Sequence, residues 1–286
     1  MNDEKQSVSR STSDVIRGQR VFTYGHSFHA WVAPILAELA KSAGIAGHAI
    51  AGRAEVGGSA GAPPYLNHHW NIPDEENATK KALRAGRVDV LTLSPIWLPD
   101  PGIEKFAELA LEHNPGARVT VQEFWLPNDI YDTSYPLNTR KPVNHNDAKI
   151  AELRVRHQPY FQSVEDNVRQ VNRHLGRSVV FVVPVGHAVL ALRAKIIAGQ
   201  ARPLEEQEDL FNDSWGHPRP PLQALAAYCH FAAIYRRSPV GLPAPSRDVC
   251  ANVWPEKRPW RDDALNRLFQ ELAWDAVIQH PLSGVP

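Results

Sequence analysis

The sequence predicts an α/β fold in which a parallel sheet of about five strands carries helices on both faces. Three observations carry this. Short apolar runs alternate with amphipathic stretches of helical length from Arg20 onward. The intervals between runs are long enough for the helical crossovers that parallel strands require. Two of the runs, Val88-Asp89-Val90-Leu91-Thr92-Leu93 and Val179 to Val185, are apolar at nearly every position, as in strands buried on both faces.

The elements follow in order. Residues 1 to 18 are Ser, Thr, Asp and Lys with little to bury, and predict a flexible tail. The rest, 19 to 286, predicts a single domain with a Pro-rich extension from about Ser238. Val21 to Tyr24 is the first strand. Phe28 to Ala43 is the first helix, with Trp31, Ile35, Leu36 and Leu39 on one face and Gly44 as its stop. His48 to Ala51 is the second strand, running into a loop containing Gly57, Gly58, Ser59 and Gly61. Asp74 to Ala85 is a polar helix, Val88 to Leu93 the third strand, and Gly102 to His113 a helix that Asn114-Pro115-Gly116 ends. Arg118 to Phe124 is the fourth strand. The irregular stretch from Leu126 to Asn146 is long for a compact domain, and such loops serve function. Ala148 to Leu175 is a long helix, Val179 to Val185 the fifth strand, and His187 to Ala198, Leu222 to Arg236 and Asp263 to His280 are the remaining helices.

Composition narrows the function. Thirty-one Lys and Arg balance 31 Asp and Glu, which speaks against a general nucleic-acid binder. Thirteen His suit general-base chemistry or metal ligation. His68, His69 and His187 lack metal-ligand spacing, and neither a metal nor a cofactor is expected. Cys229 and Cys250 form no zinc or redox motif. They pair if the chain is exported, or stay buried thiols. No apolar stretch is long enough to span a bilayer, and the first twenty residues lack a signal-peptide core. As written the chain reads as cytoplasmic, and as exported if a leader has been removed.

The chemistry centres on Val21-Phe22-Thr23-Tyr24-Gly25-His26-Ser27-Phe28-His29. A strand ends in a tight turn carrying a hydroxyl, and a helix pattern begins at once. Ser27 there is either an N-cap, its oxygen accepting from the first helix N–H groups, or a nucleophile whose oxyanion those groups stabilise. A base must be found elsewhere for the second reading. Asn212-Asp213-Ser214-Trp215-Gly216-His217-Pro218 supplies one, a His with an Asp four residues upstream on a short loop before a helix.

Gly25-His26-Ser27-Phe28 together with the Asp213 to His217 loop resembles the SGNH (GDSL-type) serine hydrolase superfamily, over roughly residues 20 to 240 in element order. The resemblance implies a three-layer α/β/α sandwich and an esterase in which Ser27 is nucleophile, His217 general base and Asp213 its orienting acid. It implies an oxyanion hole from the Ser27 N–H and a loop glycine, Gly58. Three positions depart from the family pattern. The acid stands four rather than three residues before the His. The turn after the third strand, Leu93-Ser94-Pro95-Ile96-Trp97, holds no Asn, leaving Ser94 as a weak donor. The residue before the nucleophile is His26.

His26, His29, Glu123 and Trp125 are the candidate substrate contacts. Trp70, Trp97, Trp125 and Trp215 lie near predicted rim loops and suit sugar rings. His280 reads as a cation at a helix C-terminus. The function expected is cleavage of an ester, on the family analogy an O-acyl group on a carbohydrate, with a small-molecule or carbohydrate substrate and no nucleic-acid or membrane partner. The alternative is a catalytically impaired protein of the same fold that binds carbohydrate. A nucleotide or phosphate site at the first helix N-terminus is disfavoured, because Gly25-His26-Ser27 is too sparse for a phosphate loop.

Overall fold

The structure, a computed structural model, describes residues 16–55, 66–130, 142–250 and 256–286. The chain is α/β. Five parallel strands, β1 (Arg20–Gly25), β2 (Ala49–Glu55), β3 (Val90–Leu93), β4 (Arg118–Glu123) and β5 (Val180–Pro184), form one sheet in the order β2-β1-β3-β4-β5. The helices are α1 (Val32–Ser42), α2 (Leu66–Trp70), α3 (Ala78–Arg84), α4 (Gly102–His113), α5 (Ile150–His174), α6 (Val185–Ile197), α7 (Pro220–Tyr235), α8 (Arg247–Cys250) and α9 (Asp263–Gln279). On one face α1 packs against α7, and α7 against α9; on the other α2 and α3 pack against α4, while α5 lies over β4 and β5. These are the three layers of an α/β/α sandwich.

β3 is buried at every position and β4 at all but its first residue, Arg118. β2 is an edge strand with a mixed exposed pattern. The β5 edge is covered, since Val182 N–H donates to Leu282 O at 2.9 Å. α7, buried along its whole length, is held between α1 and α9. On the face toward α7 the apolar packing gives way to a polar seam. Register aligns Thr23 with Thr92 and Thr92 with Thr120, so three threonines cross β1, β3 and β4 side by side. His29, His230 and Gln122 join this buried polar seam: Thr92 Oγ1 lies 3.0 Å from His29 Nε2, and Gln122 Oε1 2.8 Å from His230 Nε2.

Two helix starts lie four residues later than expected. The first helix begins at Val32, not Phe28, because residues 27 to 31 form tight turns closed by His29 N–H and Ala30 N–H on His26 O. The polar helix begins at Ala78, where Asn77 accepts from Lys80 N–H as its cap. The fifth strand and the helix expected from His187 are not separated, since β5 ends at Pro184 and α6 begins at Val185. Cys229 and Cys250 are both buried free thiols. The 1–15 part of the expected N-terminal tail and the Gly57–Gly61 loop lie outside the described residues.

Candidate active site

In a sheet of order β2-β1-β3-β4-β5 the direction of winding reverses between β1 and β3, and ligands bind outside the carboxyl ends of the strands at that reversal. Ser27 follows β1 there. Its Oγ lies 3.0 Å from His217 Nε2, and His217 Nδ1 lies 2.7 Å from Asp213 Oδ2. Residues 190 positions apart thus form a Ser–His–Asp triad by geometry. Ser27 is not a helix cap: the N-cap position of α1 is Trp31, with no side-chain cap bond. The Ser27 N–H has no acceptor among the described residues, while Ser27 O accepts from Trp31 Nε1 at 2.8 Å.

The four-residue spacing of Asp213 and His217 has a local cause. Asp213 Oδ1 accepts the backbone N–H groups of Trp215, Gly216 and His217 at 3.0, 3.2 and 3.2 Å. One carboxylate oxygen folds the turn and the other faces the imidazole. Gly216 sits at φ +92°, a left-handed position that favours glycine. From the sheet side the loop is held by Trp125 Nε1, which donates to Gly216 O at 2.8 Å, and by Asn128 N–H, which donates to Trp215 O at 3.1 Å. Phe28 packs on both the His217 and the Trp125 rings, with centroids 5.1 Å apart in each case.

Of the expected substrate contacts, His26, His29, Glu123 and Trp125 are all buried, and none is an open ligand contact. His26 Nδ1 accepts from Phe28 N–H at 3.3 Å. Burial, and then the charge of nearby His217, push its pKa down to about 3, so the ring is neutral with its proton on Nε2. That proton is donated to Ser94 Oγ at 3.1 Å. Ser94, expected as an oxyanion donor, is therefore turned into the core and braces the turn from below. His29 lies in the threonine seam, where burial and then the neighbouring His230 and His26 hold its pKa well below the ordinary value. Gly25 is required beside it, because a Cβ there would stand 2.5 Å from His29 Nδ1 and 3.0 Å from Ser94 Cβ. Trp125 is a strut, not a sugar platform.

Glu123 faces away from the triad. Its Oε1 pairs with His187 Nδ1 at 2.5 Å; burial, against the opposing bond to His187, holds its pKa above the ordinary carboxylate value. His187 lines a cleft of about 570 Å³ with residues of α5, α6 and α9. His280, expected as a helix-terminal cation, is buried there too, and burial followed by the charges of His187 and Arg169 lowers its pKa to about 4. Trp97 is buried like Trp125. Trp70 packs on Phe106 and under Lys80. Trp215, half-buried on the triad loop, is the indole that stays beside the site. Gly58, the expected second oxyanion donor, lies outside the described residues. Among the described residues no group of three or more His, Cys, Asp or Glu is arranged to hold a metal ion.

The residues missed by sequence reasoning form a hub behind the loop. Arg193, fully buried on α6, donates to Asp129 Oδ1 at 2.6 Å, Asp129 Oδ2 at 3.0 Å, Gln207 Oε1 at 2.7 Å and His145 O at 3.1 Å. Asp129 Oδ2 also lies 2.9 Å from His145 Nδ1. Burial pushes the Asp129 carboxyl up, but the hydrogen bonds from His145 and Arg193 and the guanidinium charge outweigh it and hold its pKa well below the usual range. Asn128 and Asp129 stand at φ +51° and +55°, strained positions that the hub maintains. The signal was an Arg set inside Leu190-Ala191-Leu192-Arg193-Ala194, since a buried charge demands a partner.

The sequence matches no family model and none of the curated proteins searched. Among solved structures, the fold is similar to a crystal structure of a DUF4886 family protein from Bacteroides uniformis, with a TM-score of 0.54 and 16% identity over 92% of this chain and 95% of that chain. At this identity the likeness concerns the fold alone. No helix among the described residues is long and apolar enough to cross a membrane.

Proposed function

We propose that the chain is a serine hydrolase of SGNH type that cleaves an ester by acyl transfer. The observation that carries the reading is the Ser27–His217–Asp213 alignment at 3.0 and 2.7 Å. With Asp213 accepting from Nδ1–H, the lone pair of His217 Nε2 faces the Ser27 hydroxyl and takes its proton as Oγ attacks the ester carbonyl. The unengaged Ser27 N–H donates to the oxyanion, with Gly58 as the proposed second donor. His217 returns the proton to the leaving alcohol. Water, deprotonated by the same imidazole, then attacks the acyl-Ser27 ester, and the acid leaves as Ser27 recovers its proton. The chemistry needs no metal or cofactor. The substrate class is an O-acylated carbohydrate or other small ester, a reading that rests on family analogy and on Trp215 beside the triad.

The test is hydrolysis of short-chain aryl esters, with covalent labelling by a fluorophosphonate. Wild type turns over and is labelled on Ser27, and Ser27→Ala loses both. A catalytically impaired carbohydrate-binding module is the second reading, favoured by one observation: the Ser94 hydroxyl is turned away from the oxyanion position. Folded wild type that neither hydrolyses nor is labelled, yet binds sugar, establishes that reading instead.

A further inference from the structure

At the opposite pole of the sheet, three arginines gather that form no ion pair with a carboxylate among the described residues. Arg17 precedes β1, Arg118 begins β4 and Arg236 ends α7. In a parallel sheet these positions lie at one end, about 20 Å from the Ser27 turn given the length of β1. The three side chains line a small pocket of about 210 Å³ with Ile16, Gln19 and Tyr235. None of them forms an ion pair with a carboxylate among the described residues. Asp89, the carboxylate whose field includes Arg17, is bound bidentately by Arg20 at 2.7 and 3.0 Å.

The arginines are held in place by other contacts. Arg118 Nη2 donates to Ile234 O at 2.6 Å, and the Arg236 guanidinium lies 5.8 Å over the Phe181 ring. Arg118 is mostly buried and feels Arg236; burial and then that like charge lower its pKa, yet a guanidinium stays protonated. The bland explanation is that the arginines complement the C-terminus of α7. A helix terminus supplies only about half a negative charge, against three full positive charges. Ile234 O uses one N–H of Arg118 and none of Arg17 or Arg236. Among the described residues no other acceptor engages the guanidinium donors of these three lining residues, and forks of this kind recognise tetrahedral oxyanions.

We propose that this pocket is a binding site for a phosphoryl-type oxyanion, either inorganic phosphate or a small phosphate monoester, separate from the esterase site. The cavity exceeds a bare phosphate and leaves room for a small organic group beside Ile16 and Ile234. Tyr235 is not needed as a donor, since its hydroxyl is engaged with His48 Nδ1.

The test is calorimetric titration of the full chain with inorganic phosphate and with phenyl phosphate, at ionic strength matched by sodium chloride, alongside thermal melts. Arg236 is exposed, so Arg236→Gln folds normally and carries the test; Arg118→Gln is checked by its melt first. The expected result is saturable one-to-one binding, a melting point raised by the anion and not by chloride, and affinity at least about tenfold weaker in Arg236→Gln. Tighter inorganic phosphate identifies the free anion as ligand; tighter phenyl phosphate identifies a monoester. Ser27→Ala binds as wild type, which keeps this site independent of the hydrolase reading. The absence of saturable binding to either probe at millimolar concentration overturns the proposal. So does equal affinity in wild type and an Arg17→Gln, Arg236→Gln double variant.

Discussion

Replacing Asp213 with Asn separates its two duties. In wild type, Oδ2 faces His217 Nδ1 at 2.7 Å, while Oδ1 gathers three backbone N–H groups at 3.0 to 3.2 Å. Asp213→Asn is isosteric. Its carbonyl oxygen keeps the three backbone bonds, because the alternative flip would set an NH2 group against three N–H donors. The amide NH2 then faces His217 Nδ1, which must become the acceptor. The ring proton moves to Nε2, pointing at Ser27 Oγ, and the base loses the lone pair it needs. A wrong tautomer of this kind costs a triad on the order of 10⁴ in kcat, equivalent to about 5 kcal/mol of transition-state stabilisation. The fold loses little. Asp213→Ala differs, since it also orphans the Trp215 and His217 N–H groups, while Gly216 N–H keeps the Asp213 carbonyl at 3.1 Å, and each buried unmet donor costs about 1–3 kcal/mol; partial exposure of the loop places the total toward the lower end. The assays are kcat/KM on an aryl ester and chemical denaturation for both variants. An Asp213→Asn enzyme within about tenfold of wild type refutes the orienting role, and equal stability of the Asn and Ala variants refutes the turn-folding role of Oδ1.

Trp125→Phe keeps the ring under Phe28 but deletes the donor to Gly216 O; kcat falls about tenfold with KM unchanged, and stability falls by about 0.5–1.5 kcal/mol, read from steady-state kinetics and urea titration. Asp129→Asn leaves the buried Arg193 without its anion and costs about 3–5 kcal/mol, measured by denaturation, and Arg193→Met costs a similar amount because it strands the buried Asp129 carboxylate without its guanidinium. Acid weakens the fold in a defined window. His157 donates Nδ1–H to Leu153 O and accepts from Leu126 N–H at Nε2, and burial lowers its pKa to about 4. The unfolded chain, with an ordinary His pKa near 6.5, binds the extra proton first. The His157 contribution to stability therefore falls as pH drops from about 6.5 toward 4 and levels below the folded value. A denaturation midpoint that stays flat across that range contradicts the neutral burial of His157.

Much of the architecture was legible in the chain because local pattern and burial agree. The runs Val90 to Leu93 and Val180 to Pro184 are apolar at positions facing both layers, so no other element accommodates them. Gly102 to His113 carries its helical face within its own twelve residues, and its stop signal, Asn114-Pro115-Gly116, follows at once. Helix starts were less legible where a turn comes first. Residues 28 to 31 read as helix by periodicity, yet His26 O collects two N–H bonds and delays α1 to Val32.

Ser27, Asp213 and His217 could be named from two short blocks, but nothing local to either decided between a helix cap and a nucleophile. That choice required bringing His217 Nε2 to 3.0 Å of Ser27 Oγ across 190 residues, which the winding reversal between β1 and β3 accomplishes. The direction in which a side chain faces was equally a tertiary matter. His26, His29, Glu123 and Trp125 sit in sequence where a rim contact belongs, yet strand alternation and the covering helices turn them inward, where each must find a hydrogen-bond partner. The sequence by itself determined the order of strands and helices, because hydrophobic periodicity is a local property. Only the folded chain decided which polar groups meet substrate and which brace the turn that does, because that depends on what packs above them.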